Sequence, residues 1–210
     1  YDAVGRMTGI GRPDASSVAF AYDKNGNMTV LTNPANISHS FGYNKVNLNS
    51  SYQAPISGIY SYEYDGDRRL TRITFPSGRQ ITNLYANGRL EQVESPEGKI
   101  YLTYLCGSKL DTITKGTEAI SYGYDGLLVT SEIFSGVLNA SLGYSYNNDF
   151  NLTKFNYAGG TVSYIYDNDG LLTGAGPFNI GRNAANGLPE TVEGGAFNLS
   201  RDFNGYGEVE

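Results

Sequence analysis

Residues 62–88 read YEYDGDRRLTRITFPSGRQITNLYANG and contain one complete copy of a pattern that recurs along the chain. Two tyrosines lie two residues apart, a turn with Asp and Gly follows, and a second turn at Pro76-Ser77-Gly78 precedes the next tyrosine, Tyr85. Gly accepts positive φ and Pro holds φ at about −65°, so both turns are typical of hairpin corners. The segments between them have the usual length of β-strands. The stretch therefore predicts a unit of strand, turn, strand, turn.

The same pattern recurs along the whole chain with a period of about 21 residues. When the repeats are aligned on the tyrosine of Tyr64-Asp65, successive aligned tyrosines are 21, 21, 21, 21, 19, 20, 22 and 20 residues apart. Two further repeats have a different residue at this position, Arg182 and Phe203. A fixed period of this kind is the signature of a repeat architecture. We call the aligned residues the repeat tyrosines: Tyr1, Tyr22, Tyr43, Tyr64, Tyr85, Tyr104, Tyr124, Tyr146 and Tyr166.

Other residue types keep step with the repeat tyrosines. An aromatic residue often precedes the tyrosine by two positions, and a large apolar residue often follows it by six. The preceding residues are Phe20, Phe41, Tyr62, Tyr122, Tyr144 and Tyr164, and the following ones are Met7, Met28, Leu70, Leu110, Leu152, Leu172 and Leu188. Because residues i and i+2 of a strand share one face, this pattern predicts a buried aromatic stripe.

The acidic residue after the tyrosine is interpreted as part of the turn. Asn44 and Asn147 fill the same slot, and Asp and Asn both accept hydrogen bonds from the backbone two residues on. A calcium site is the alternative, but calcium-binding β-rolls use a nine-residue Gly-rich repeat. The positions expected to be structural are Tyr22, Asp23, Tyr43, Tyr64, Asp65, Tyr85, Tyr104, Tyr124, Asp125, Tyr146, Tyr166, Asp167, Gly170 and Leu172.

Composition and motifs argue against several classes of function. The formal net charge is −6 and the only adjacent basic pair is Arg68-Arg69, whereas nucleic-acid binders carry a basic face. No apolar run is long enough to predict a membrane span. Cys106 is predicted to be a small buried side chain on a strand, and nothing in the sequence links it to the single histidine, His39. With no nucleophile elbow, phosphate loop or metal-ligand cluster, we expect no enzyme, no catalytic residue, no cofactor and no metal.

The repeat resembles that of the YD-repeat or RHS-repeat family. The resemblance is strongest at Tyr166-Asp167-Asn168-Asp169-Gly170-Leu171-Leu172-Thr173 and in the tail from Asn183 to Leu188 and from Phe203 to Val209. In that family the strands form a sheet that spirals around a hollow chamber. Bacterial RHS proteins and toxin-complex subunits use the shell to enclose a toxic C-terminal segment, and teneurins carry a similar barrel on the cell surface.

The resemblance implies a function for a parent protein rather than for these residues alone. Neither a toxin-like segment nor the family's core segment after the last repeats occurs before Glu210. The expected partners are the remainder of the shell and a C-terminal toxin or effector, in a secreted or cell-surface protein. The alternative is a carbohydrate-binding or adhesion module, since glucan- and choline-binding repeats have a similar length; those sites rely on Trp, which is absent here.

The repeat also predicts how the hairpins combine. A lone hairpin is marginally stable in water, so neighbouring hairpins must stack edge to edge, and a sheet of about twenty strands must curl because strands twist. We therefore expect an all-β chain of tandem β-hairpin repeats, about 21 residues each, that form a spiralling β-sheet. Residues 1–210 are expected to form a single YD-repeat region and a fragment of a larger shell.

Overall fold

The computed structural model describes residues 1–106 and 109–210 of the chain. These residues divide into two compact units, Tyr1–Leu102 and Thr103–Glu210. Among them there is no α-helix, and hence none that could cross a membrane. The predicted all-β class of hairpin repeats is confirmed, because the described strands are antiparallel and pair in chain order.

The first unit is built from ten described strands, and every two that are consecutive in the chain pair with one another. They are β1 (Gly9–Gly11), β2 (Ser17–Tyr22), β3 (Met28–Thr32), β4 (Ser38–Tyr43), β5 (Asn49–Ala54), β6 (Gly58–Tyr64), β7 (Leu70–Thr74), β8 (Gln80–Ala86), β9 (Arg89–Ser95) and β10 (Gly98–Tyr104), whose last two residues belong to the second unit.

The second unit repeats this ladder. Its strands are β11 (Leu110–Lys115), β12 (Glu118–Asp125), β13 (Leu128–Ser135), β14 (Ala140–Tyr146), β15 (Leu152–Tyr157), β16 (Gly160–Tyr166), β17 (Leu172–Ala175), β18 (Phe178–Arg182), β19 (Pro189–Gly194) and β20 (Phe197–Ser200).

A β-bulge lies opposite each repeat tyrosine for which a strand pairing is described. Tyr64 pairs with Leu70 and Glu63 with Arg72, so Thr71 has no partner on β6. The same register shift occurs at Tyr22, Tyr43, Tyr85, Tyr124, Tyr146, Tyr166 and Arg182. A bulge bends its strand and increases the local right-handed twist. The bulge in each of these repeats therefore adds to the twist of the sheet, and the sequence pattern does not predict it.

The aromatic stripe lies on one face as predicted, but the prediction that it is buried is wrong. Along β6 the exposure alternates, with Tyr62 and Tyr64 half-buried and Glu63 between them exposed. Among the described residues, Ala54 at 9% exposure is the only buried hydrophobic side chain. The physical reason is that the described strands of each unit contact their sequence neighbours, and no second layer of described residues packs over the tyrosine face. Adjacent strands shield the rings only from the side.

Cys106 also differs from its prediction. Strand β10 ends at Tyr104, so Cys106 follows the strand instead of lying on it. Its side chain is exposed. The repeat that begins at Tyr104 has lost most of the turn letters, which is why the strand end could not be placed from the sequence. The predicted apolar residue Leu188 is likewise one position out of register, because Arg182 pairs with Pro189.

Candidate functional site

The most regular feature of the molecule is a hydrogen bond that seven of the repeat tyrosines make to the preceding repeat. The Tyr85 hydroxyl donates to the carbonyl oxygen of Leu70 at 3.0 Å, and Leu70 is the strand partner of Tyr64. We call this bond the tyrosine bridge. The other bridges run from Tyr22 to Met7, Tyr43 to Met28, Tyr64 to Asn49, Tyr124 to Leu110, Tyr146 to Val129 and Tyr166 to Leu152, at 2.7–2.9 Å.

The bridge explains why tyrosine, and not phenylalanine, occupies this position in most repeats. The ring covers apolar surface on the half-buried face, and the hydroxyl pairs a carbonyl of the previous hairpin. Because the acceptor lies fourteen to seventeen residues earlier in the chain, each bond joins two successive repeats. The bridge therefore reinforces the register that backbone pairing sets between these strands, as between β7 and β8.

Arg182 takes the place of the tyrosine where the letter pattern is lost. Its Nε donates to the carbonyl of Leu172 at 2.8 Å, and its Nη1 donates to the carbonyl of Gly187 at 2.8 Å. Leu172 is the strand partner of Tyr166, so the guanidinium reaches the acceptor that a tyrosine hydroxyl would have reached. The repeat is preserved in its hydrogen bonding although its sequence is not.

The role of Arg182 can be tested by replacing it. We expect Arg182→Leu to lower the free energy of unfolding by about 1–2 kcal/mol, because it leaves two carbonyls without their donor. Arg182→Tyr should lose less than half as much, because the hydroxyl restores the bridge to Leu172. Urea titration of the two variants measures the difference. Equal losses would mean that the guanidinium acts through something other than this bond.

The residue that follows six of the repeat tyrosines closes the first turn with its side chain. The Oδ1 atom of Asp23 accepts hydrogen bonds from the backbone N–H groups of Asn25 and Asn27, both at 2.9 Å. The same pair of bonds is made by Asp2, Asp65 and Asp167, and by the amide oxygens of Asn44 and Asn147. This geometry requires an oxygen acceptor and no charge.

Two of the described turns depart from this geometry. Asp125 ends β12 and pairs with Leu128 across a two-residue turn, and among the described residues its carboxylate accepts no bond from the turn. Ala86 and Arg89 pair across Asn87-Gly88 in the same manner. The turn after Tyr104 contains residues 107 and 108, which lie outside the described residues. Gly170 has a φ of 76°, as the turn requires.

Cations link several turns to the next repeat tyrosine. Arg69 Nε contacts Asp65 Oδ2 at 2.7 Å, and the Arg69 guanidinium lies over the Tyr85 ring, 4.9 Å from its centroid. Arg6 makes the same pair of contacts with Asp2 and Tyr22, at 2.6 Å and 4.8 Å. A cation above an aromatic face is attracted by the ring quadrupole. These residues add a second link between successive hairpins.

Because aspartate carboxylates accept hydrogen bonds in these turns, we expect the free energy of unfolding to decrease in acid. The Asn27 side chain, as the largest cause, and backbone N–H donors hold the pKa of Asp23 below its usual value, and the Arg69 N–H does the same for the pKa of Asp65. A group whose folded pKa is lowered stabilises the fold fully above its unfolded pKa of about 3.9. That contribution declines as pH falls below about 4 and is lost below the folded pKa.

Asp23→Asn tests this dependence. The amide oxygen keeps the two backbone bonds, as Asn44 does, but cannot titrate. We expect the free energy of unfolding of Asp23→Asn to vary less with pH between about 2 and 5 than that of the unsubstituted chain. Urea titrations across this range make the comparison. Parallel curves would show that Asp23 is not a source of the acid sensitivity.

The first unit also contains an open aromatic groove of about 550 Å³, lined by Leu31, His39, Phe41, Asn49, Tyr52, Tyr62, Tyr64 and Leu70. The His39 and Tyr52 rings are stacked at 5.9 Å, and His39 Nδ1 lies 2.7 Å from the Tyr52 hydroxyl. No cluster of three or more His, Cys, Asp or Glu residues that could hold a metal ion is found in the described part of the chain. The geometry is that of a packing or binding surface.

Comparison with known proteins places this geometry in context. The model of the Teneurin YD-shell family matches residues 1–210. No curated protein matches the chain in sequence.

Several solved structures share the fold at low sequence identity. A chain in the crystal structure of TcdB2-TccC3-Cdc42 is 12% identical, with a TM-score of 0.71 over 100% of this chain and 15% of that one. A chain of the Photorhabdus luminescens Tc holotoxin pore with the mutation TccC3-D651A is 14% identical, with a TM-score of 0.62 over 94% of this chain and 13% of that one. The chain thus spans only about a seventh of the length of these structures.

Proposed function

Because the chain belongs to the Teneurin YD-shell family, we propose that it is a stretch of shell wall that encloses a C-terminal toxin or effector in a longer polypeptide. The observation that carries the proposal is the series of tyrosine bridges. A wall must hold its register over many strands, and the bridges between successive repeats reinforce the register that strand pairing sets. The parent protein would be secreted or displayed on the cell surface.

The half-buried tyrosine face supports the same proposal. Strand β6 exposes alternate residues on its other face, so the two faces of the sheet differ in chemistry. A face of half-covered aromatic rings can contact an enclosed polypeptide through apolar surface without a specific binding pocket for it. The bulge opposite the repeat tyrosines supplies the added twist that a winding wall needs.

Protease protection tests the proposed enclosure. In the complete natural polypeptide that contains this chain, we expect the C-terminal segment to resist a protease that digests the same segment expressed alone. A variant with Tyr64→Ala and Tyr146→Ala, which breaks one bridge in each unit, should lose that protection at a lower urea concentration. Digestion of the segment at the same rate in both contexts would refute enclosure.

Carbohydrate binding is the second candidate function, and the aromatic groove favours it. Rings at Phe41, Tyr52 and Tyr60 follow one another at 5.3 Å and 5.7 Å, and sugars stack on such surfaces. Calorimetric titration with oligosaccharides discriminates between the two functions. The shell proposal predicts no saturable heat; saturable binding that Tyr52→Ala abolishes would instead support a carbohydrate-binding or adhesion module.

A further inference from the structure

Glu132 is a charged residue in an otherwise uncharged row. In the described pairings, the residue two positions before a repeat tyrosine, or before Arg182, pairs with a residue on the following strand. Tyr122, two positions before Tyr124, pairs with Glu132. The corresponding partners in the other described pairings are Leu31, Tyr52, Ile73, Val93, Phe155, Ala175 and Val192. A carboxylate thus interrupts the row of apolar and aromatic side chains on the tyrosine face.

The surroundings of Glu132 are aromatic and apolar. The Tyr144 hydroxyl donates to Glu132 Oε1 at 3.2 Å, Tyr122 lies opposite on β12, and Leu142 lies opposite on β14. Burial and, after it, the negative charge of Glu132 raise the pKa of Tyr122. Glu132 is half-buried, and within residues 1–106 and 109–210 no Lys, Arg or His forms an ion pair with it. A partly desolvated carboxylate without a cation is unfavourable.

We infer that Glu132, Tyr122 and Tyr144 form a binding site for the guanidinium group of an arginine side chain from a polypeptide lying on the tyrosine face. A carboxylate accepts charge-assisted hydrogen bonds from a guanidinium, and the tyrosine rings attract the same cation. The inference goes beyond the shell role and holds whether or not the bound polypeptide is an enclosed cargo.

The chain itself contains this combination with the cation already in place. Arg69 lies between the carboxylate of Asp65 and the ring of Tyr85, and Arg6 lies between Asp2 and Tyr22. Around Glu132 the carboxylate and the rings are present and the cation is missing among the described residues. Guanidinium, and not ammonium, is the cation in both internal examples that include a carboxylate.

Titration with N-acetyl-arginine methylamide tests the site. In residues 1–210 with ¹³C-labelled tyrosine rings, we expect a saturable shift of the Tyr122 and Tyr144 ring signals by nuclear magnetic resonance. The citrulline analogue, which has the same shape without the charge, should bind about tenfold more weakly or not at all. Equal binding of the two compounds would overturn the inference, and tighter binding of the lysine analogue would overturn the choice of guanidinium.

Matched variants separate the site from the fold. Glu132→Gln should weaken binding of the arginine compound by about tenfold, and Glu132→Leu, which places the residue type of Leu31 at this position, should abolish it while the chain stays folded. Glu193→Gln removes an exposed carboxylate from β19, next to Val192, and should leave binding unchanged. Unchanged binding in Glu132→Gln, or the same loss in Glu193→Gln, would contradict the site.

Discussion

Replacement of Tyr64 by alanine is expected to lower the free energy of unfolding by about 2–3 kcal/mol. The change removes a half-buried ring and the hydroxyl that donates to the Asn49 carbonyl at 2.8 Å. A fully buried aromatic ring would cost about 3–5 kcal/mol, and the partial exposure of the tyrosine face places Tyr64 below that range. Urea titration followed by circular dichroism measures the loss.

Tyr206→Ala is the matched control for this prediction. Tyr206 is 93% exposed, and among the described residues its hydroxyl makes no hydrogen bond. Its removal should therefore change the free energy of unfolding by less than about 0.5 kcal/mol. A loss at Tyr64 as small as that at Tyr206 would show that the repeat tyrosines do not hold the sheet together.

Gly170→Ala is expected to cost about 1–2 kcal/mol. Gly170 has a φ of 76° and its N–H donates to the Asp167 carbonyl to close the turn. An alanine in this left-handed conformation brings its Cβ too close to the backbone. The loss is measured by the same urea titration as for Tyr64.

Phe150→Gly makes the opposite change at the equivalent position of another repeat. Phe150 has a φ of 64° and is 72% exposed, so glycine relieves strain and removes little packing. We expect a gain of about 0.5 kcal/mol, because the relief exceeds the entropy that glycine adds to the unfolded chain. A loss in Phe150→Gly would mean that the exposed ring contributes packing that outweighs the backbone strain.

The sequence predicted the fold because its signals are local. The turn at Pro76-Ser77-Gly78 and the period between Tyr64 and Tyr85 place β7 and β8 to within one residue, and the resemblance to the YD-repeat family is confirmed by the family match over the whole chain. Each such signal depends on the backbone preference of a Gly, Pro or Asn residue. These preferences can be read without knowing which strand lies beside which.

The tyrosine bridge could not be predicted in the same way. Its acceptor is a backbone carbonyl, and because every residue has one, the sequence does not identify Leu70 as the partner of Tyr85. The bulge at Thr71 has no sequence signal either. Burial of the aromatic stripe was predicted from its two-residue periodicity. That periodicity shows which residues share a face of the strand, but it does not show whether another layer covers that face. The repeat at Arg182 could not be recognised from the sequence, because arginine replaces tyrosine only through the hydrogen bond that its guanidinium donates to the Leu172 carbonyl.

The spiral course of the sheet and the assignment of residues 1–210 to a single region stay predictions. Each unit is an antiparallel ladder with its own tyrosine bridges. The bulges provide a physical reason for strong twist, and the match to the shell family makes a wall the natural context for it.

A series of Tyr→Phe variants tests the tyrosine bridge most directly, because it removes the hydroxyl and leaves the ring. We expect Tyr43→Phe, Tyr64→Phe and Tyr146→Phe each to lower the free energy of unfolding by about 1 kcal/mol. Tyr157→Phe and Tyr206→Phe, whose hydroxyls make no bond within the described residues, should cost less than about 0.3 kcal/mol. The same small effect in both groups would show that the tyrosine hydroxyl does not help to join the repeats.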